Sequence, residues 1–310
     1  MLPSQTNSLP HDRAQIERRA VLLINTHSRK GQELCEPALF KLKELGVEIE
    51  KSVACEQREQ MMAEAKAAVD RKVPIVIVGG GDGTLNTLAD TVIDSESVLG
   101  VLPFGTGNAF ARDLEISDID VACRAIANGK ISAVDVGVAN GRPFLNVATV
   151  GLTTKIAQDL HESLKRKFGW LVYVSAAIRA FNEIKPFRVT LVTENGVHSF
   201  ETLEVVIGNG RYHAGPFPLS PDAGIETGHF SIYALQKATK AAVIRLAVHL
   251  PSGTHVKLPE VHSESSTGGK LTARPNVKSI IDGDQGPMTP IDFQVRPRAL
   301  QVLTPDGFAG

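Results

Sequence analysis

Residues Gly79-Gly-Gly-Asp-Gly-Thr-Leu-Asn86 follow directly on the apolar run Pro74-Ile-Val-Ile-Val78. The apolar run predicts a buried strand, and a helix is expected to begin near Thr84. Glycine lets a bulky anion approach main-chain N–H groups, and a helix N-terminus adds partial positive charge at the same place. Asp82 is the one acidic side chain of this loop, and a carboxylate suits a hydrated Mg²⁺ better than direct contact with phosphate. The stretch therefore predicts a nucleotide triphosphate site in which Asp82 contacts the metal through water.

A glycine-rich turn between a strand and a helix can also be a packing feature without a ligand. We favour a ligand site because three glycines, an Asp, a fourth Gly and a Thr stand together. The loop has neither the Gly-Lys-Ser/Thr of a Walker A loop nor the Gly-x-Gly-x-x-Gly of a dinucleotide fingerprint. The candidate nucleotide-binding residues of this loop are Gly79, Gly80, Gly81, Asp82, Gly83, Thr84 and Asn86.

A second loop of the same kind follows. The apolar strand Val98–Leu102 runs into Pro103-Phe-Gly-Thr-Gly-Asn108, and a helix is expected from there. Successive strand–loop–helix units place both loops at the carboxyl edge of a parallel sheet, where such sheets bind ligands. Thr and Asn also cap helices, so capping is an alternative role for two of these side chains. The candidate nucleotide-binding residues here are Gly105, Thr106, Gly107 and Asn108.

A third loop follows the first predicted strand, Val21–Ile24. Asn25, Ser28 and Lys30 are polar or basic and are candidates to face the nucleotide. Taken alone, this turn is also compatible with ordinary loop chemistry.

Two patterns divide the chain. Residues 18–133 alternate predicted strands and helices, which favours an α/β fold with a doubly wound parallel sheet that binds the nucleotide. Residues 134–296 are mostly short β runs, which predict a β-rich, sandwich-like second domain. Its hairpin signals include Asn195-Gly196, which separates the predicted strands Phe187–Glu194 and Val197–Ile207. Residues 1–17 are polar and predict a disordered lead-in.

Composition narrows the class of protein. The formal net charge is −1, so charge does not favour a nucleic-acid partner. The three cysteines form no CxxC pair, which indicates reduced thiols in the cytoplasm. No apolar run approaches the ~20 residues that a membrane-spanning helix requires. We therefore expect a cytoplasmic protein that binds no nucleic acid.

The two glycine-rich loops resemble the signature loops of the diacylglycerol kinase catalytic family, which includes bacterial lipid kinases, sphingosine kinases and ceramide kinases. Farther along the chain, Ile207-Gly-Asn-Gly-Arg-Tyr-His-Ala-Gly215 and Ile281-Asp-Gly-Asp284 fall in the family's order. The resemblance extends from about residue 18 to the C-terminus. It implies a kinase that uses ATP and Mg²⁺ to phosphorylate a hydroxyl on a sphingoid, monoacylglycerol or diacylglycerol lipid. It also implies that residues 297–310 return to the first domain.

The same resemblance implies roles for two acids near the C-terminus. Asp282 corresponds to the general base that takes the proton from the lipid hydroxyl, and Asp284 to a residue of the metal-linked water network. From the residues alone, Asp282-Gly283 reads more naturally as a hairpin turn. Arg211 is a candidate cation for phosphate, with a solvated turn residue as its alternative. We expect Asp82, Asp282 and Asp284 to form the catalytic set.

The chain departs from the family pattern at two places. Many bacterial members carry Asp after the Asn of the second loop, whereas this chain has Ala109. The missing carboxylate predicts weaker activity on diacylglycerol than on another lipid alcohol. A downstream Asp that helps hold a structural Mg²⁺ in some members is Thr227 here. Glu226 is the neighbouring acid that would substitute as a metal ligand.

The expected partner is a lipid alcohol. The cluster Lys165-Arg-Lys-Phe-Gly-Trp170 combines basic and aromatic residues, which suits transient contact with an anionic membrane surface at its inner face. A homodimer is left open. Two alternatives to a lipid kinase are an NAD kinase-like enzyme, which shares the first loop, and a non-catalytic protein of this fold that binds nucleotide or lipid.

Overall fold

The computed structural model describes residues 16–28, 30–151, 185–213, 217–236 and 239–310. Strands and helices alternate through the first part of the chain. These elements are β1 (Arg19–Asn25), α1 (Gly31–Glu44), β2 (Glu48–Cys55), α2 (Arg58–Asp70), β3 (Ile75–Gly80), α3 (Asp82–Val92), β4 (Val98–Pro103), α4 (Ala109–Asp113) and α5 (Ile119–Asn128). The four strands are parallel in the order β2-β1-β3-β4. The predicted doubly wound parallel sheet is confirmed.

The two central strands explain why this sheet is stable. Every residue of β3 and β4 is buried, as expected when helices cover both faces of a parallel sheet. Their sequences are accordingly continuous apolar runs without the alternation of a half-exposed strand. The two glycine-rich loops follow the carboxyl ends of these adjacent strands, so they lie side by side on a rigid core.

The second part of the chain is mostly strands. They are β5 (Lys130–Ala139), β6 (Arg142–Phe144), β7 (Val147–Gly151), β8 (Phe187–Thr193), β9 (Gly196–Thr202), β10 (Glu204–Gly208), β11 (Tyr212–His213), β12 (Phe217–Pro218), β13 (Phe230–Leu235), β14 (Val261–Ser266), β15 (Gly268–Arg274), β16 (Lys278–Ile281), β17 (Asp284–Met288) and β18 (Ile291–Thr304). One helix, α6 (Lys240–His249), and two short 3₁₀ turns lie between β13 and β14.

A second sheet has the order β14-β13-β10-β7-β16-β17. Its inner face packs against β8, β15 and part of β18 around a shared apolar core. Three phenylalanines occupy the centre of this core: the Phe144 and Phe230 rings stack at 5.6 Å, and Phe293 meets Phe230 edge-on at 5.7 Å. The predicted β-rich, sandwich-like second part is confirmed.

The long strand β18 belongs to both parts of the chain. It pairs antiparallel with β15 and β5, and Val302 pairs in parallel with Leu99 of β4. Its register against β5 shifts between Arg296 and Leu300, where Arg298 has a φ of 54°. This bulge supports our proposal that residues 297–310 join residues 18–133, and that 134–296 form the second domain.

The pattern of residues 197–207 predicts one strand, and this is wrong. The chain changes sheets at Leu203, so that β9 lies in the first sheet and β10 in the second. The Thr202 hydroxyl lies 2.8 Å from the carbonyl of Glu204 and 2.9 Å from that of Leu235. Side-chain bonds to the main chain of this kind replace ladder bonds and let the strand turn.

Two parts of the sequence interpretation fall outside the described residues. They are most of the lead-in and the segment 152–184, which contains the basic and aromatic cluster Lys165–Trp170. Within the residues described, no helix combines the length and apolar character needed to cross a bilayer.

Candidate functional site

The two glycine-rich loops touch through their main chains. A Cβ placed on Gly105 would lie 2.5 Å from the Cα of Gly81, so neither loop tolerates a side chain at this contact. Gly79 faces the Phe104 ring and Gly80 the Thr84 side chain, each with 2.6 Å to a built Cβ. Packing therefore accounts for these glycines.

Gly83 differs from the other loop glycines. No heavy atom lies within 4 Å of the position its Cβ would occupy. It stands in the first turn of α3, which begins at Asp82, two residues before the predicted start. The open main chain of Gly83 therefore lies at the positive end of the α3 dipole, where an anion is favoured.

Asp82 ties the second loop to the first. One of its oxygens, Oδ1, accepts a hydrogen bond from the N–H of Phe110 at 3.1 Å. Burial raises the pKa of Asp82, while main-chain N–H groups at Phe110, Ala109 and Asn108 lower it. These donors form the N-terminus of α4, whose partial positive charge favours a carboxylate. The other oxygen, Oδ2, lies near Gly107, where a built Cβ would be 3.1 Å away.

Asn108 shapes its own loop. It has a φ of 48°, and its Oδ1 accepts from the N–H of Gly105 at 2.9 Å. Its Nδ2 donates to the carbonyls of Gly105 at 3.0 Å and Pro103 at 3.3 Å. The Asn108 side chain makes no cap bond to α4, so the capping alternative is wrong for this residue. Thr106 is exposed at the loop tip.

The third loop, which follows β1, joins the other two. The Asn25 Nδ2 donates to the Thr84 hydroxyl at 2.9 Å, and the Lys30 N–H donates to the carbonyl of Phe104 at 3.2 Å. The Ser28 hydroxyl donates to the Asn25 carbonyl at 2.6 Å. The three predicted loops thus form one hydrogen-bonded unit. Asn86 is buried within α3, and its Oδ1 has no hydrogen-bond partner among the described residues.

A cavity of about 350 Å³ opens beside this unit, within the size range of small-molecule sites. Its lining includes Asn25, His27, Arg58, Gly83, Thr84 and Asp284. The cavity therefore combines residues of the loop after β1, of the first turns of α2 and α3, and of β17. A larger cavity of about 530 Å³ lies between residues 92–95 and 294–301, and it contains none of the predicted site residues.

Asp284 sits at the edge of the smaller cavity between two arginines. Its Oδ2 accepts from Arg58 Nη1 at 3.3 Å and from Arg142 Nη2 at 3.1 Å. The Asp284 side chain is 41% exposed, and the Arg142 side chain is 32% exposed. Sequence reasoning missed both arginines, because a single Arg at a helix start or in a hairpin carries no distinctive signal.

Asp282 occupies the turn between β16 and β17. Its φ of 47°, followed by 88° at Gly283, is the left-handed pair of a two-residue hairpin. The hairpin interpretation is therefore right for the main chain. The side chain is buried and points to the loop before β7: Oδ2 accepts from the N–H of Leu145 at 2.7 Å, and Oδ1 from those of Asn146 at 3.0 Å and Val147 at 2.7 Å.

Burial raises the pKa of Asp282 to about 6, although its three main-chain donors lower it. The negative charge of Asp82 raises it further. The structure therefore brings the acid of the first loop and the acid of the last hairpin within electrostatic reach of each other.

A third acid, Asp113, was missed by sequence reasoning. Its Oδ1 accepts from the N–H of Arg211 at 3.0 Å, whereas its buried Oδ2 has no hydrogen-bond partner in the described part of the chain. Burial raises its pKa to about 8, and the charge of Asp82 acts in the same direction. Only a glycine fits at Gly210, where a built Cβ would lie 2.2 Å from Asp113 Oδ2. The available signal was an acid four residues after Ala109, in the short run Ala109-Phe-Ala-Arg-Asp-Leu114.

Arg211 and Glu226 lie away from the cavity. The Arg211 guanidinium donates to the carbonyls of Ala223 at 3.0 Å and Gly310 at 3.1 Å, which is a structural role. Glu226 is exposed beside Gly310. Across the described ranges, it belongs to no group of three side chains that could hold a metal ion.

Comparison with known proteins places these features in a family. The model of the diacylglycerol kinase catalytic domain matches residues 19–139, and that of the YegS C-terminal NAD kinase beta sandwich-like domain matches residues 146–304. A diacylglycerol kinase of Staphylococcus haemolyticus is 30% identical over 270 residues, covering 86% of this chain and 82% of the relative. A diacylglycerol kinase of Staphylococcus aureus is 29% identical over 296 residues, covering 94% of each chain.

Solved structures share the fold. A crystal structure described as a diacylglycerol kinase from Bacillus anthracis superposes with a TM-score of 0.74 at 19% identity, covering 94% of this chain and 98% of that one. A second structure from the same organism gives a TM-score of 0.79 at 19% identity, over 98% and 99% of the two chains. The chain belongs to the diacylglycerol kinase catalytic family and is an enzyme of the lipid kinase class.

Proposed function

We propose that this enzyme transfers the γ-phosphoryl group of ATP to a hydroxyl of a lipid alcohol, with Mg²⁺ as cofactor. The observation that carries the proposal is the cavity of about 350 Å³ where the first turn of α3 meets Asp284. It combines an open helix N-terminus with charged side chains. Phosphoryl transfer needs both, because its catalysis rests on positioning and on charge stabilisation.

The nucleotide phosphates are expected at the start of α3. Gly83 and Thr84 line the cavity there, and no other atoms fill the space beside the Cα of Gly83. Arg58 lines the same cavity and Arg142 lies behind Asp284 at its edge, both bonded to the Asp284 carboxylate, and a guanidinium is well matched to phosphate oxygens. We propose that the other candidate residues of the three loops act mainly by holding this arrangement, since most of their polar groups already bond within it.

Asp82 fits the predicted contact to Mg²⁺ through water. Its Oδ1 is engaged by α4, and Oδ2 keeps the capacity to accept from a metal-bound water. When bound, Mg²⁺ neutralises charge on the transferring phosphate.

Asp282 is proposed as the general base. A carboxylate has about four acceptor positions, and the three main-chain N–H groups leave one for the proton of an acceptor hydroxyl. A pKa of about 6 keeps the group ionised near neutral pH while retaining basicity. The same three donors also fix the orientation of the carboxylate.

Asp113 is an acid close to Ala109, the position at which many bacterial family members carry Asp. The two residues are four apart on α4 and therefore lie on one face, one helical turn from each other. Asp113 interacts electrostatically with Asp82, as Asp282 does. We propose that Asp113 contributes a carboxyl group to the same region, one helical turn beyond the position where many bacterial family members carry Asp, while that position itself stays without an acid.

Two observations bear on which lipid alcohol the enzyme phosphorylates. The curated relatives are named diacylglycerol kinases, which favours diacylglycerol. The sequence has Ala109 in place of the Asp of many bacterial members, and on that ground we propose a sphingoid base or a monoacylglycerol as the better acceptor. Transient contact with the inner membrane surface, a cytoplasmic location and a homodimer stay proposals from the sequence.

A transfer assay tests the function directly. We expect labelled phosphate to move from ATP to at least one lipid alcohol in mixed micelles, in a Mg²⁺-dependent reaction, and more slowly to diacylglycerol than to sphingosine or monoacylglycerol. NAD belongs in the same panel as the acceptor of an NAD kinase-like enzyme. ATP binding without transfer to any acceptor would support the non-catalytic alternative. A preference for diacylglycerol would refute only the argument from Ala109, and the proposed transfer to a lipid alcohol would stand.

A pair of glycine variants tests the nucleotide position. Gly83→Ala adds a methyl group in open space on a helix, so we expect an unfolding midpoint no lower than native. We expect ATP affinity reduced roughly 10–100-fold, because the methyl group would keep the phosphate from a hydrogen bond to the main-chain N–H. Gly105→Ala collides with the main chain of Gly81 and should lower the free energy of unfolding by about 1–3 kcal/mol. Calorimetry with ATP and urea denaturation measure the two effects. Normal ATP affinity in Gly83→Ala would place the phosphates elsewhere.

The pH profile tests Asp282. Since the base must be ionised, turnover of the native enzyme should fall as the pH drops through about 6. Asp282→Asn should lower turnover by ~10²–10⁴ and remove this acidic limb. Asp292→Asn, which changes an exposed Asp on β18, serves as the control and should keep the native profile. An acidic limb that persists in Asp282→Asn would assign it to another group. Thermal unfolding of both variants separates loss of the hairpin contact from loss of the base.

Asp113 should make stability depend on pH. Because burial raises its pKa from about 4 in the unfolded chain to about 8, its ionisation opposes folding increasingly as the pH rises between these values. Asp113→Asn removes this penalty, so its free energy of unfolding relative to the native protein should increase from pH 6 to pH 8 and level off above. Urea denaturation without nucleotide measures it. A difference that is constant with pH would show that Asp113 does not titrate in this range. Turnover of the same variant tests its catalytic contribution.

A further inference from the structure

The edges of the two sheets meet on the side of the sandwich formed by β9 and β14. Strand β9 ends the first sheet and β14 ends the second. His198 lies on β9, and His262 and Glu264 lie on the same face of β14, two residues apart. None of these residues lines the nucleotide cavity.

The three side chains converge on one point. Glu264 Oε2 lies 2.9 Å from His262 Nε2 and 3.5 Å from His198 Nε2, and the potential ligand atoms all lie within 4.8 Å of one another. A tetrahedral ion with bonds of about 2.0–2.2 Å holds its ligand atoms about 3.4 Å apart. The cluster is therefore nearly at the spacing that a bound ion requires. Among the residues described, it is the one group of three such side chains that meets this condition.

Surrounding contacts orient the ligands. The Thr193 hydroxyl on β8 donates to Glu264 Oε1 at 2.7 Å, which leaves Oε2 for the histidines. Such outer contacts to a carboxylate are typical of protein metal sites. The Glu264 and His262 side chains are 9% and 15% exposed, whereas His198 is 38% exposed. One side of the cluster thus stays open for a water ligand.

We propose that His198, His262 and Glu264 bind one Zn²⁺ ion, with water as the fourth ligand, and that the ion links the edge of the first sheet to the edge of the second. Two imidazoles and a carboxylate are a recurrent zinc ligand set. Mg²⁺ prefers oxygen ligands in octahedral geometry and is not expected here. A hydrogen-bonded His–Glu cluster without metal is the alternative.

The test uses the full-length protein after removal of metal with a chelator. Competition against a chromogenic zinc indicator, in excess Mg²⁺, should show one site whose loading raises the thermal unfolding midpoint. His198→Ala and Glu264→Gln should weaken Zn²⁺ binding by at least about 100-fold, since even loss of an outer partner costs 10–100-fold. His249→Ala, which removes a half-buried histidine of α6 outside the cluster, is the control and should bind normally.

Co²⁺ gives a second readout that does not depend on the variants folding. Loading of the native protein should produce the visible absorption of a four-coordinate site with nitrogen and oxygen ligands, and Zn²⁺ should displace it. Absence of a stoichiometric site in the native protein would overturn the proposal. So would Zn²⁺ affinity that is unchanged in folded His198→Ala and Glu264→Gln, or a Co²⁺ spectrum of thiolate ligation, which would place the ion at the cysteines.

Discussion

Three main-chain N–H groups end on the carboxylate of Asp282, and the position of the last hairpin depends on this contact. It holds the β16–β17 hairpin against residues 145–147. The carbonyl of Asn146 in turn accepts from the N–H groups of Asn209 and Gly210, at 2.8 and 3.2 Å. The next residue, Arg211, donates to Asp113 on α4, whose other end is bound by Asp82. A continuous series of hydrogen bonds therefore runs from the last hairpin to the first loop.

Removal of this carboxylate would leave three buried donors without a partner, and each such group costs about 1–3 kcal/mol. A residue proposed as the base is thus also a structural centre. The two roles are compatible, because a base held by three donors cannot rotate away from its acceptor. They also explain why a change at Asp282 must be assessed for stability and for turnover separately.

Burial raises the pKa values of Asp82, Asp113 and Asp282, and Asp82 acts electrostatically on the other two. Packing three acids into one region opposes folding, because each negative charge disfavours the others. Clusters of this kind with shifted pKa values occur preferentially at functional sites. A divalent cation or a proton shared within the group would relieve this repulsion.

The sequence predicts the parts of this enzyme that are local. Glycine-rich loops between apolar strands and helices predict the parallel sheet and the grouping of its loops, and each such pattern spans only a few residues. The sequence singles out Asp82, but Asp82 begins α3, and its bond to Phe110 joins residues 28 apart. The partners of Asp113 and Asp284 lie 98 and 226 residues away. Patterns along the chain do not encode such pairings, and for Asp282 they indicated only the turn and not what its side chain would hold.

The course of β18 also has a consequence for how the protein is made. Synthesis produces β4 long before residues 291–304, so one edge of β4 stays unpaired at the end of the first sheet while nearly two hundred further residues are added. An uncovered strand rim is a template for pairing with other chains. Nascent chains of this enzyme can therefore misassemble until β18 has been synthesised. A fragment that ends before β18 would keep the unpaired edge of β4 permanently.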